Sequence, residues 1–206
     1  EIVDPETFLP CPPDKIGEIW VSGGSIAQGY WQRPEETQQT FQARLANDSE
    51  AEPFLRTGDL GILKEGELFI TGRLKDVVII RGRNHYPQDI ALTVENAHEA
   101  LQTNSCAAFS VEVTTSDQLV VVSEVKRPYL RRLNEEDVVN NSIFSIRRAV
   151  SEAHELQLYA VLLIKPGSLP KTSSGKVQRK QCRQRFLSEE ITAVAKWERD
   201  LSTVAN

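Results

Sequence analysis

The densest chemical signal in the chain is Leu169-Pro170-Lys171-Thr172-Ser173-Ser174-Gly175-Lys176-Val177-Gln178-Arg179. Small residues let a backbone approach a ligand closely and leave its N–H groups open to oxyanions. A lysine closing such a loop, Lys176, can deliver a positive charge to a phosphate or to a developing oxyanion. The same composition also suits an ordinary solvated basic loop. It does not suit a Walker A loop, which needs G-x-x-x-x-G-K-[ST]. Pro170 stands at the first glycine position and Val177 follows the lysine.

A second candidate is Asp59, set between glycines in Phe54-Leu55-Arg56-Thr57-Gly58-Asp59-Leu60-Gly61. Aspartate in such a place most often bonds its own backbone in a turn. Chemically, it can also accept hydrogen bonds from a vicinal diol such as a ribose. His85 has no spaced partner acid or ligand and reads as structural. Cys11, Cys106 and Cys182 form neither a metal-ligand spacing nor a disulfide framework, which predicts no metal site and a reducing cytoplasm.

The elements that must position these residues follow from pattern. Residues 1–15, with Pro5, Pro10, Pro12 and Pro13, read as irregular. Gly17 to Gly23 alternates as a strand, Pro34-Glu35-Glu36-Thr37 opens a short helix, and Lys64-Glu65-Gly66-Glu67 is a hairpin turn before the strand Leu68–Gly72. Residues 1–72 therefore read as a small β-rich unit, with Asp59 in a turn. Gly72-Arg73-Leu74-Lys75-Asp76 breaks the pattern and is placed at a domain boundary. Beyond it come a buried strand Val77–Ile80, a helix from Pro87 to about Leu101, strands Ser105–Val113 and Gln118–Val125, and a long helix capped by Asn134-Glu135-Glu136-Asp137. The apolar run Leu158–Ile164 reads as a buried strand before the lysine loop, and a helix starts at about Arg179. The fold class is α+β: a barrel-like β subdomain, then a compact unit over residues 73–188 with a small antiparallel sheet flanked by helices. Residues 189–206 are predicted to be a tail or linker.

Charge supports two units. Residues 1–72 hold 13 acidic and 5 basic side chains, and the remainder 16 and 19. The basic excess gathers in Lys165–Arg185, which has seven Lys or Arg and no acid. That suits a small polyanion such as ATP; without interleaved aromatics it predicts no nucleic-acid partner. No run approaches the roughly 20 apolar residues of a membrane span. The chain contains no methionine and reads as a piece of something longer.

Three stretches in order, Arg56-Thr57-Gly58-Asp59-Leu60, Gly72-Arg73-Leu74-Lys75-Asp76 and Pro170 to Arg179, resemble the C-terminal part of the adenylate-forming superfamily of acyl-CoA synthetases, luciferases and adenylation domains. Gly17-Glu18-Ile19-Trp20-Val21-Ser22-Gly23 with Gly29-Tyr30-Trp31 resembles its barrel-like subdomain. Arg81-Gly82-Arg83-Asn84-His85-Tyr86-Pro87-Gln88-Asp89-Ile90 is most similar to the fatty acyl-AMP ligases, although Ala91 stands where that family usually has glutamate. The resemblance implies a ligase that activates a fatty acid with ATP and Mg2+ and passes it to the phosphopantetheine arm of an acyl carrier protein. Asp59 would hold the ribose hydroxyls, Arg73 would make a second contact to ribose or phosphate, Lys75 would be the hinge, and Lys176 would reach the carboxylate and α-phosphate. It also implies a large N-terminal adenylation domain in the parent chain, carrying the phosphate loop, adenine pocket and acyl tunnel, so that this portion is inactive alone. An acyl-CoA ligase and a non-catalytic carrier-docking module are the alternatives.

Overall fold

The computed structural model describes all residues except 49, 51, 133–135 and 201–206. The chain divides into two units, Glu1–Val77 and a second beginning at Val78. The division thus falls after Val77, not after Gly72, because the strand that ends at Arg73 and the turn after it still belong to the first unit.

Unit 1 holds β1 (Ile2–Val3), β2 (Gly17–Val21), α1 (Pro34–Phe41), β3 (Leu55–Lys64) and β4 (Glu67–Arg73). The expected barrel-like subdomain takes the form of an open antiparallel sheet in the order β1-β2-β3-β4. Val3, Ile19, Trp20 and Leu60 are buried, and the Trp20 ring packs between Phe8 and Phe54 with centroids 5.7 and 6.0 Å away. The β3–β4 hairpin turns at Glu65 and Gly66, both with positive φ (53° and 83°), the backbone twist that matches two antiparallel strands.

Asp59 is not in a turn: it lies inside β3. Glu18 and Trp20 of β2 pair with Leu60 and Arg56, so Ile19 faces the whole segment Thr57-Gly58-Asp59. The register on the β4 side also shifts, between Leu60 and Gly61. Gly58 adopts φ +71°, which a bulge tolerates most easily at glycine. A bulge and a turn use the same residue types, which is why the segment reads as a turn in sequence.

Unit 2 opens with the hairpin β5 (Val78–Ile80) and β6 (Arg83–His85), then α2 (Pro87–Ala97), β7 (Leu101–Val113), β8 (Ser116–Val125), α3 (Glu136–His154), β9 (Leu158–Ile164), α4 (Arg179–Leu187) and β10 (Ala193–Glu198). Of the expected cap Asn134-Glu135-Glu136-Asp137, Asn134 and Glu135 lie outside the described residues. The sheet runs β10-β9-β8-β7. It is mixed, not antiparallel: β8 and β9 are parallel, because α3 carries the chain back to the starting end of the sheet between them. Both faces are buried. Leu119, Val121, Val161 and Leu163 point to the side packed with residues of α2 and α3. Val120, Val122, Leu162 and Ile164 point to the other side, with Leu169 and Cys182. Strands buried on both faces read as continuous apolar runs, as these do.

Residues 193–198 are not tail. β10 pairs with β9 from Ala193↔Ile164 to Glu198↔Ala160. The Tyr159 hydroxyl donates to Glu198, Lys196 pairs with the same carboxylate at 2.7 Å, and Arg147 of α3 stacks 3.9 Å from the Trp197 ring. The bond to Glu198 pushes the Tyr159 phenol up to about 12.

Candidate functional site

In unit 1 the bulge puts Asp59 directly across from Arg73 in the β3–β4 ladder. Arg73 Nε donates to Asp59 Oδ1 at 2.9 Å, and both side chains reach solvent, at 57% and 33% exposure. Such a pair contributes about 0–1 kcal/mol to stability, so the pairing is better understood as presenting the carboxylate than as holding the sheet. Among the described residues, Arg73 engages Oδ1 and leaves Oδ2 outside that bond. The bulge itself is locked from beneath. Thr57 Oγ1 accepts from the Asp59 N–H at 3.0 Å and donates to the Ile19 carbonyl at 2.8 Å, replacing ladder bonds the bulge removes.

Below it sits Glu18, buried at 2% exposure. Its Oε2 accepts from Arg56 Nε (2.9 Å), Arg56 Nη2 (2.7 Å) and Trp20 Nε1 (3.0 Å), and its Oε1 accepts from the Gly58 N–H at 3.1 Å. The Arg56 guanidinium also lies 4.9 Å from the Phe8 centroid and 5.5 Å from that of Trp20. A buried carboxylate is tolerable only when its lone pairs are filled like this. Glu18 was invisible as a functional support in sequence: it sits in an alternating strand, and the one signal was a charged residue between glycine and isoleucine on a strand with a buried tryptophan.

Lys75 lies exposed in a single 3-10 turn, Leu74–Asp76, immediately ahead of the division between units. Asp59, Arg73 and Lys75 therefore belong to unit 1, with the first two brought together as an ion pair, while Lys176 belongs to unit 2.

The Lys176 loop is a miniature hairpin, not a loose coil. The Gln178 N–H donates to the Pro170 carbonyl (2.9 Å), the Thr172 N–H to the Lys176 carbonyl (2.8 Å) and the Gly175 N–H to the Thr172 carbonyl (2.9 Å). Lys171 and Val177 form an antiparallel bridge. Gly175, with φ +82°, closes the turn. Thr172 Oγ1 accepts from the Lys176 N–H at 3.0 Å. The base of the hairpin is held where Leu169 and Val177 pack against the core face and where the Leu169 N–H reaches the buried Glu124 carboxylate at 2.9 Å. Lys176 itself is exposed. Part of the basic cluster has structural duties: Lys171 Nζ donates to Ser105 Oγ (2.8 Å) and Arg183 Nε to the Ser110 carbonyl (2.9 Å).

His85 is half-buried, its Nε2 without a hydrogen-bond partner. Burial lowers its pKa, and the nearby His154 and Arg83 charges lower it further. Ala91 is buried with Ile90 and Val94 on the inner face of α2, so its departure from the glutamate pattern bears on helix packing. Among the described residues, no three or more His, Cys, Asp or Glu gather where they could hold a metal ion, and no helix is long and apolar enough to cross a membrane.

A family profile described as "Disco-interacting protein 2-like, AMP domain" matches residues 75–196. The chain belongs to this family. The match takes in Lys75, the whole lysine hairpin and β10 as far as Lys196. Among curated relatives, the chain is 58% identical over 186 residues to the medium-chain-fatty-acid–[acyl-carrier-protein] ligase JamA of Moorena producens (strain JHB), covering 90% of this chain and 31% of that protein. It is 43% identical over 197 residues to the putative fatty-acid–CoA ligase FadD21 of Mycobacterium tuberculosis (strain ATCC 25618 / H37Rv), covering 93% and 33%. Among solved structures, McyG A-PCP complexed with phenylalanyl-adenylate superposes with a TM-score of 0.71 at 30% identity, over 91% of this chain and 27% of that one. The chain thus spans about a third of the length of the curated relatives it matches. The α+β family fold is the fold of adenylate-forming ligases.

Proposed function

We propose that the chain is the C-terminal portion of a fatty acyl-AMP ligase, which activates a fatty acid with ATP to an acyl-adenylate and passes the acyl group to an acyl carrier protein. The observation that carries this reading is how the candidate residues are distributed: a presented carboxylate–guanidinium pair on one unit, a lysine on a braced hairpin in the other, and Lys75 just ahead of the division between units. Asp59 accepts hydrogen bonds from the ribose hydroxyls, and Arg73 adds a contact at ribose or phosphate. Lys176 reaches the fatty carboxylate and the α-phosphate. As the carboxylate oxygen attacks phosphorus and the bond to pyrophosphate breaks, the ammonium offsets the charge that accumulates. Lys75 is the hinge about which unit 2 turns, so that the carrier's pantetheine thiol can attack the acyl carbonyl and release AMP. Magnesium enters as the counter-ion of ATP, and no residue of this chain is assigned to it, given the lack of a metal-holding group among the described residues.

The acceptor is supported by the name of the 58% identical relative, an acyl-carrier-protein ligase. The name of the 43% identical relative, a CoA ligase, supports coenzyme A as the second reading. The cytoplasm is the expected setting. The chain alone is expected not to adenylate, because the phosphate loop, adenine pocket and acyl tunnel of such ligases are assigned to none of its residues.

The test uses the parent protein with ATP, a long-chain fatty acid, and either coenzyme A or holo acyl carrier protein, with products read by mass spectrometry. Acyl-adenylate and acyl-carrier protein without acyl-CoA are expected, and Lys176→Ala is expected to slow adenylate formation on the order of 10²–10³-fold. Abundant acyl-CoA would move the assignment to the second reading. Adenylate formation unchanged in Lys176→Ala would favour a non-catalytic docking module.

A further inference from the structure

The hairpin carries two exposed lysines, and they differ in that the Lys171 ammonium is tied back to a protein oxygen. Residues opposite each other in an antiparallel pair share a face, and the next pair takes the other face. Lys171 and Val177 are opposite. Val177, partly buried, packs against the core face that includes Phe109, Val122 and Leu162, and the Lys171 chain, though exposed, brings Nζ back to Ser105 Oγ at 2.8 Å, so this pair makes its contacts on the protein side. Thr172 and Lys176 form the next pair, tied by the Thr172 N–H, and so face outward. The outward aim of Lys176 is thus set by what holds its neighbours inward. A slip of one residue would turn Lys176 toward the sheet.

The inward anchor is itself braced. Ser105 is 2% exposed. Its N–H donates to Glu95 Oε1 of α2 at 2.8 Å, the Asn104 N–H donates to Oε2 of the same carboxylate at 2.8 Å, and its hydroxyl donates to the Thr103 carbonyl at 3.1 Å. That last bond leaves the Ser105 oxygen lone pairs for the ammonium of Lys171. A flexible lysine is therefore docked on an oxygen whose position α2 and β7 fix together.

We propose that Lys171, held by Ser105, is a positioning residue for adenylate formation: it sets the register of the hairpin and so the outward aim of Lys176. This inference rests on the reading of Lys176 given above. The docked ammonium touches no reacting atom, so its effect is confined to the step that uses Lys176. Transfer from preformed acyl-adenylate to the acceptor does not depend on it.

The experiment uses the parent ligase and four variants: Lys171→Met, which keeps chain length and loses the donor; Lys171→Arg, which keeps a charged donor; Ser105→Ala; and Lys176→Met. Three quantities are read for each: adenylate formation by ATP–pyrophosphate exchange, single-turnover transfer from added acyl-adenylate, and hydrogen exchange of the hairpin amides. Lys171→Met and Ser105→Ala are expected to slow exchange on the order of ten- to a hundredfold, mainly in kcat. They should leave transfer unchanged and lose protection at the Thr172 and Gln178 amides. Lys171→Arg should recover most of the rate. The inference is overturned if Lys176→Met slows exchange but Lys171→Met does not, or if Lys171→Met slows both half-reactions equally, the mark of a general loss of fold. If Lys176→Met leaves exchange intact, the functional reading fails; the amide protection then still decides whether Lys171 sets the hairpin, and full protection in Lys171→Met overturns it.

Discussion

Removing the Glu18 carboxylate is the sharpest test of how the Asp59 site is held. Glu18→Ala takes one acceptor away from four donor bonds: two from Arg56, one from the Trp20 indole and one from the Gly58 backbone. Breaking a buried ion pair by removing one partner costs about 3–5 kcal/mol. Arg56 keeps 24% side-chain exposure and can recover some hydration, which draws the value toward the lower end. The indole N–H has no such escape, since Trp20 is 1% exposed, and an unpaired buried donor adds about 1–3 kcal/mol. These terms share the same collapse of the site and do not add fully, so the expected loss is about 3–5 kcal/mol. Asp59→Ala breaks the exposed pair with Arg73 and should cost about 1 kcal/mol or less. Urea unfolding of unit 1 can be followed by fluorescence with Trp31 and Trp197 changed to Phe, leaving Trp20 as the reporter. A Glu18→Ala loss no greater than that of Asp59→Ala would refute the reasoning. The opposite ranking is expected in activity per folded molecule, where Asp59→Ala should be the more damaging.

Two further outcomes follow from buried titratable groups. Burial lowers the pKa of both His85 and His154 below the free value of 6.5, His85 with added repulsion from His154 and Arg83, and His154 despite Asp89. The folded state therefore binds fewer protons than the unfolded chain; this contribution is complete above about pH 6.5 and is lost as pH falls below it. Unit 2 should lose stability as pH falls below about 6.5, and a smaller loss is expected in the His154→Gln variant; an identical loss would remove His154 from the account. Burial also pushes the Cys106 thiol far up and that of Cys182 to about 12, so neither forms appreciable thiolate near neutrality. A thiol-disulfide dye should label Cys11 alone in the native protein and nothing rapidly in Cys11→Ser; a second fast thiol before unfolding would contradict the packing of β7 or α4.

What the sequence made legible was what local pattern encodes, and what it hid was what distant residues decide. β8 and β9 announced themselves because both faces of their sheet are buried, leaving unbroken runs such as Leu158 to Ile164. Their parallel pairing was also available in principle, since a long helix between two neighbouring strands forbids a tight hairpin. β10 was hidden, because Ala193-Val194-Ala195-Lys196-Trp197-Glu198 is short, carries two charges and draws its hold from Tyr159 and Arg147, far off in sequence. The Asp59 bulge was hidden for the same reason: the carboxylate that bonds Gly58 lies 40 residues away. Lys176 was legible as a charge but not as a direction, which depends on a contact between Lys171 and Ser105 across 66 residues. The division has a physical cause. A group that must meet a ligand is left exposed and so contributes little to folding, and its aim must come from buried polar contacts elsewhere. Glu18 beneath Asp59 and Ser105 behind Lys176 occupy that supporting role, one in each unit. Substitutions at these two buried residues should therefore disturb Asp59 and Lys176 through position alone, and by less than removal of either side chain itself.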